Sequence, residues 1–259
     1  MFILLPPSET KASGGDGPAL DLDSLSFPSL NEIRRRNIAD LSALEPDAAL
    51  DVLGISETLR GEAEANTRLL SAPTVPAIRR YTGVLYDALD VTTLSVPARA
   101  RLGVGSALFG VLSADDPVPH YRLSSGTKLP TRDGQDAPAT PPTMKARWGS
   151  AVTEALRQVP GTVVDLRSGG YRQLGRLPGA VTVRVESVRE DGSRKVVSHF
   201  NKHYKGLLAR ELASADVDLA TPGDVEGVAE IARNAGLTVE VNQANSAGKA
   251  PADSLTLVV

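Results

Sequence analysis

Residues 198–206, SHFNKHYKG, place two of the chain's three histidines, two lysines and two aromatic rings within nine positions. Lysines attract phosphate oxygens, and tyrosine faces offer surfaces on which nucleobases stack. Lys202, Lys205 and Arg210 fall along one element here, and Arg122, Lys128, Arg167 and Arg172 extend the same chemistry upstream, with Tyr121, Tyr171 and Tyr204 as stacking surfaces. The competing reading is a solvated helix start with Phe200 in the core. His199 and His203 are four apart, a spacing that puts two metal ligands on one helix face. No Glu lies between them and lysines flank the pair, so the expectation is an anion-facing or structural role for His203, with no metal.

Nucleophile candidates are Ser8, Ser106 and Ser168, none of them within G-x-S-x-G. Ser8, with Lys11 close behind it, follows the apolar run Met1–Leu5, and the edge of an open sheet is where such folds bind ligands. A turn hydroxyl is the plainer reading of Ser8. The glycines of Gly103-Val104-Gly105 through Gly110 miss the G-x-G-x-x-G spacing, and no P-loop is present, so no nucleotide cofactor is expected. The stretch Leu50 to Leu59 reads as helix, glycine turn and helix, with Gly54 at the turn and Ser56 as cap. In a helix-hairpin-helix such a turn meets a DNA phosphate through backbone N–H groups, without reading sequence.

The chain has 259 residues and a formal net charge of −3, which alone argues against a nucleic-acid partner. The distribution argues the other way. Pro119 to Arg210 carries 16 Lys and Arg against 7 Asp and Glu, while the rest carries 12 against 24. A field segregated in this way holds an anion on one face and keeps the remainder soluble. With no cysteine, disulfides, thiolate nucleophiles and finger-type zinc sites are excluded. The apolar start lacks a basic n-region and stops at Pro6-Pro7, so it reads as a buried first strand of a cytoplasmic protein, with no membrane partner. One domain over 1–259, monomeric, is the default at this length.

The elements that must position these groups are legible from period and punctuation. Residues 8–29 are loop-like; Leu30 to Leu44 is helical, with Arg34-Arg35-Arg36 on a solvated face. Helices are expected from Ser56 through Leu69, Ala77 to Leu89, Met144 to Val159, Lys202 to Ala213 and Pro222 to Ala235. Strands are expected at residues 102–112, 120–123, 162–166, 181–185, 195–200, 237–241 and 255–259, and 131–143 is a Pro-rich surface loop. Asp191-Gly192 marks a hairpin. Helices alternate with strands but hairpins interrupt, which predicts an α+β or mixed α/β domain whose mixed sheet is flanked by helices.

LLPPSETK at residues 4–11, GVLY at 83–86, SALFGVL at 106–112, YRL at 121–123, WG at 148–149 and KHYKGL at 202–207 occur in an order that resembles the YaaA family of peroxide-stress proteins, from the first strand to about Arg210. The resemblance implies a cytoplasmic mixed α/β domain with a basic cleft and a helix-hairpin-helix. It also implies binding of double-stranded DNA through its phosphate backbone and limitation of iron-dependent oxidative damage. Lys202 and Lys205 match the family's basic pair before Gly206, Arg122 its Y-R-L arginine, and Gly54 and Ser56 its hairpin turn. Members carry S-P-A-K-T near the first strand, so Lys11 falls at a shifted position, and residues 216–259 diverge. The alternative is an enzyme using the same cleft on a nucleotide, nucleobase or phosphorylated small molecule.

Overall fold

The computed structural model describes residues 1–132, 140–189, 191–196, 200–242 and 254–259. Its strands are β1 (Phe2–Leu5), β2 (Val75–Pro76), β3 (Leu102–Ser106), β4 (Gly110–Ser113), β5 (Pro117–Val118), β6 (Val163–Asp165), β7 (Val181–Val188), β8 (Arg194–Val196), β9 (Val239–Asn242) and β10 (Ser254–Val258). The helices are α1 (Asn31–Ser42), α2 (Pro46–Leu53), α3 (Arg60–Asn66), α4 (Ala77–Arg80), α5 (Val84–Leu89), α6 (Val96–Ala100), α7 (Met144–Trp148), α8 (Ala151–Arg157), α9 (Gly169–Arg172), α10 (Asn201–Ser214) and α11 (Val225–Asn234).

The run FILL of β1 is buried throughout, and a strand apolar on both faces belongs in the middle of a helix-covered sheet. It lies there, parallel to β3 on one side and β6 on the other. The main sheet runs β4-β3-β1-β6-β7-β10-β9, with β8 paired to β7 as its eighth strand. Pairs β6–β7 and β7–β10 are parallel, whereas β3–β4, β7–β8 and β9–β10 are antiparallel, so the sheet is mixed. β2 and β5 form a separate small pair. From β1 the chain winds to β3 on one flank and later to β6 on the other. That reversal opens a crevice beyond the carboxyl ends of β1 and β6, where open α/β sheets hold ligands.

Several elements differ from the sequence reading. The helix expected over 77–89 is two short ones, because Tyr81 is extended and Gly83 takes φ +100°. The one expected over 144–159 breaks where Gly149 takes φ +51°. Period alone carries an apolar stripe across such a glycine. His120 to Leu123 has no ladder partner and is irregular. Arg34 is not on a solvated face: it is fully buried and donates to the carbonyls of Phe109, Val111 and Ser26 and to Asn31 Oδ1. Phe200 is exposed, so it does not supply the core. Most of the loop over 131–143, and residues 197–199 of the expected second hairpin strand, lie outside the described residues.

Candidate functional site

Immediately after β1, Pro6 and Pro7 end the ladder and the chain turns so that Lys11 forms an antiparallel bridge with Tyr81. This fixes the Lys11 backbone against the start of the α4–α5 connection. The side chain folds back: Nζ donates to the Ser8 carbonyl at 3.1 Å and lies over the rings of Tyr121 and Tyr81, 4.6 and 5.5 Å from their centroids. The two rings are locked beneath it. Tyr81 and Tyr121 share a hydroxyl–hydroxyl bond of 2.6 Å, and Tyr121 shares another of 2.7 Å with Ser106 Oγ, which also accepts from the Phe109 amide. Ser106 is thereby buried as a prop for the tyrosines, which removes it as an accessible nucleophile. Burial pushes the Tyr81 hydroxyl up to about 12 and raises Tyr121 well above its usual value, so both remain neutral donors.

Across the crevice, α10 begins one turn from Lys205, whose Nζ donates to the carbonyl of Leu166 just beyond β6. Burial, and then the nearby Arg172 guanidinium, pull the Lys205 amine down to about 8. Burial pulls Lys11 down to about 8 as well, with Arg122 and Arg80 acting in the same direction and Glu9 and Glu62 opposing. Among the described residues neither lysine has a carboxylate within ion-pair distance. Long cations are normally kept in water or paired, so two half-buried lysines without an ion pair, one after β1 and one on α10 against the end of β6, mark a site.

Beside the Ser8 to Thr10 turn is a cleft of about 330 Å³ lined by Pro6, Pro7, Ser8, Thr10, the Thr82 to Tyr86 segment and Lys202. Ser8 Oγ bonds Thr10 Oγ1 at 3.0 Å, an ordinary turn pair at the rim with no base on the serine. Arg122 grips Glu9, donating to its carbonyl at 3.1 Å and reaching its carboxylate at 3.2 Å, and Tyr171 donates to the same carboxylate at 3.3 Å. The structure thus brings Ser8 and Lys202 to one cleft, with Lys11 bonded to Ser8 beside it over the Tyr121 ring, Arg122 and Tyr171 joined on Glu9, and Lys205 bonded to Leu166 beyond β6. Lys202, Arg172 and Lys128 carry no side-chain partner among the described residues, which leaves their charge available.

Other expected residues have different employment. Arg167 is buried, doubly bonded to Asp165 and capped by the Gly175 carbonyl, so it holds the β6 end rather than facing solvent. Arg210 donates to the carbonyls of Leu89 and Asp90 and to Thr93 Oγ1, fastening α10 to the end of α5. Ser168 is exposed and precedes α9 without capping it. Tyr204 is half-buried and packs edge-on to His203 at 5.4 Å; His199 lies outside the described residues. Sequence reasoning missed Tyr81, Glu9 and the burial of Lys11, because isolated residues 70 positions apart give no spacing signal.

At the hairpin, α2 ends with Gly54 in the left-handed region and a short turn leads into α3. The amides of Gly54 and Ile55 donate to the carbonyls of Asp51 and Leu50 and are consumed within the turn. Ser56 Oγ bonds Thr58 Oγ1. Arg60 pairs with Glu57 and Asp47, so the hairpin has no surplus positive charge. The far end of α3 meets the crevice, where Asn66 accepts from the Arg122 amide and donates to its carbonyl.

A family model described as peroxide stress protein YaaA matches residues 1–240 of this chain. The chain belongs to the YaaA family. It is 61% identical to a UPF0246 protein of Corynebacterium efficiens over 259 residues, the whole of both chains. It is 41% identical to one of Streptomyces coelicolor over 96% of this chain and 95% of the relative. A Chromobacterium violaceum UPF0246 protein is 30% identical over 82% and 91% of the two. The YaaA resemblance therefore runs past Arg210, through α11 and into β9, and extends the sequence reading by some thirty residues. Among the described residues no helix is long and apolar enough to cross a membrane.

Proposed function

We propose that this YaaA-family protein acts in the cytoplasm under peroxide stress by binding the phosphate backbone of double-stranded DNA at the crevice beyond β1 and β6, and so limits iron-dependent damage to the duplex. The observation that carries the reading is a pair of cations at that crevice without side-chain partners among the described residues: Lys202 on its rim and Arg172 beside Lys205. Unpaired surface cations release counterions when they meet phosphates, and this supplies affinity without base recognition. The hairpin adds shape rather than charge, since Arg60 is neutralised and the Gly54 amide is consumed. Arg122, through Glu9, and Lys205 and Arg210, through Leu166 and the end of α5, contribute by holding the walls of the crevice in place.

The test is fluorescence anisotropy with two duplexes of unrelated sequence and equal length. Equal affinities within a few-fold, both falling steeply as salt rises, are expected. A second reading, an enzyme acting on a nucleotide, nucleobase or phosphorylated small molecule, is favoured by one observation: the cleft holds about 330 Å³, the lower range of small-ligand pockets. Protection of the protein against thermal unfolding by a nucleoside phosphate, with no duplex binding, would transfer the assignment to that reading.

A further inference from the structure

Lys11 is built unlike a phosphate-binding lysine. Its ammonium would carry three donors, yet among the described residues it meets a single hydrogen-bond acceptor, the Ser8 carbonyl. The aromatic faces of Tyr81 and Tyr121 screen it from below, and their hydroxyls are tied to each other and to Ser106. The neighbouring carboxylate that would pair with it, Glu9, is instead held by Arg122 and Tyr171. Holding the acid away from the amine keeps the nitrogen free of an ion pair beside the cleft that Ser8 and Thr10 line. Desolvation and adjacent cations are the two means by which a lysine becomes a nucleophile near neutral pH. Burial, Arg122 and Arg80 supply both here and lower the Lys11 amine to about 8.

We propose that Lys11 is a nucleophilic amine that condenses with an aldehyde carried close to a phosphate, forming an imine at the mouth of the β1 crevice. The nitrogen lone pair attacks the carbonyl carbon and the C=O π pair moves to oxygen, which takes up a proton that the nitrogen gives up. Expulsion of that oxygen with the remaining N–H proton, as water, leaves the C=N bond. No oxidant or reductant enters the step. Lys202, on the rim of the adjoining cleft and without a side-chain partner among the described residues, suits the phosphate. Two sources share this chemistry: the ring-opened deoxyribose of an abasic site in DNA, and a free sugar phosphate. The inference rests on the crevice assigned above but not on a duplex filling it.

The experiment incubates the whole protein with sodium cyanoborohydride and either a duplex containing one abasic site or glyceraldehyde 3-phosphate. Reduction converts an imine to a stable secondary amine, and peptide mass mapping locates it. Intact-duplex binding is measured on the same preparations. The expected result is a single adduct on Lys11, reduced at least tenfold in Lys11→Arg and retained in Lys145→Arg, whose lysine is exposed on α7. An adduct from the abasic duplex, not the free sugar phosphate, assigns DNA as the source; the reverse assigns the small molecule. Mapping on the unaltered protein keeps the question decidable if Lys11→Arg does not fold. No adduct with either aldehyde, or adducts scattered over exposed lysines, overturns the inference. Intact-duplex binding without an adduct sinks only this inference, whereas a Lys11 adduct without duplex binding sinks only the DNA reading.

Discussion

Burial lowers the amines of both Lys11 and Lys205 to about 8, and this bears on stability. Glu9, Glu62, Arg122 and Arg80 act on Lys11, and Arg172 and Asp165 on Lys205. Because both amines hold the proton less tightly when folded, the unfolded chain binds more protons between pH 8 and 10.5. The contribution of these lysines to stability therefore rises with pH across that window, and below pH 8 their burial is a standing penalty. Removing one should stabilise the fold. Lys205→Met relieves about 3 kcal/mol of such penalty, of which about 1 kcal/mol is lost again because the Leu166 carbonyl loses its donor. Melting at pH 7 is expected to rise by roughly 5 °C, with duplex affinity unchanged or weaker. A lower melting temperature would mean that the buried amine is a structural tie. Arg34 makes the opposite case. Arg34→Leu strands three carbonyls in the core and is expected to destabilise by about 3 kcal/mol or more, read from urea unfolding.

The elements place these residues through close backbone approach. At Gly206 of α10, an added Cβ would lie 2.3 Å from the Leu85 carbonyl oxygen and 2.8 Å from Ala88 Cβ, so only glycine lets α10 lie against α5. That contact sets Lys202 across the cleft from Gly83 and brings Lys205 to Leu166. Gly206→Ala must move one helix off the other. The expected outcome is a loss of about 2–4 kcal/mol of stability together with weaker duplex binding; wild-type stability would show that the helices do not meet so closely. The sequence made α10 readable, because KHYKGLLARELA has helical composition. It did not show the break at Gly83, because an apolar period passes unbroken through a glycine whose φ is positive. The mixed sheet followed from hairpin signals interrupting the alternation of strands and helices. The position of β1 at its centre required knowing which strands pair. The triple arginine misled because charge predicts solvent, and only the fold shows that Phe109, Val111 and Ser26 aim their carbonyls at Arg34.

For the whole molecule, the acidic total charge and the basic middle of the chain are reconciled by where the cations go. Arg34, Arg80, Arg167 and Arg210 tie carbonyls and carboxylates inside the fold. Lys202 and Arg172 carry no side-chain partner among the described residues; Lys202 lines the cleft beyond β1 and Arg172 acts on Lys205 beside the β6 end, and the central claim is that both meet duplex phosphates. Each phosphate neutralised steepens the fall of log K with log salt by about 0.9. The decisive measurement is the salt dependence of duplex affinity for the wild type and for the double variant Lys202→Ala/Arg172→Ala. A slope shallower by about 1.8 is expected in the variant, with equal weakening on unrelated sequences. An unchanged slope and affinity, or a wild type that does not bind duplex at low salt, would contradict it.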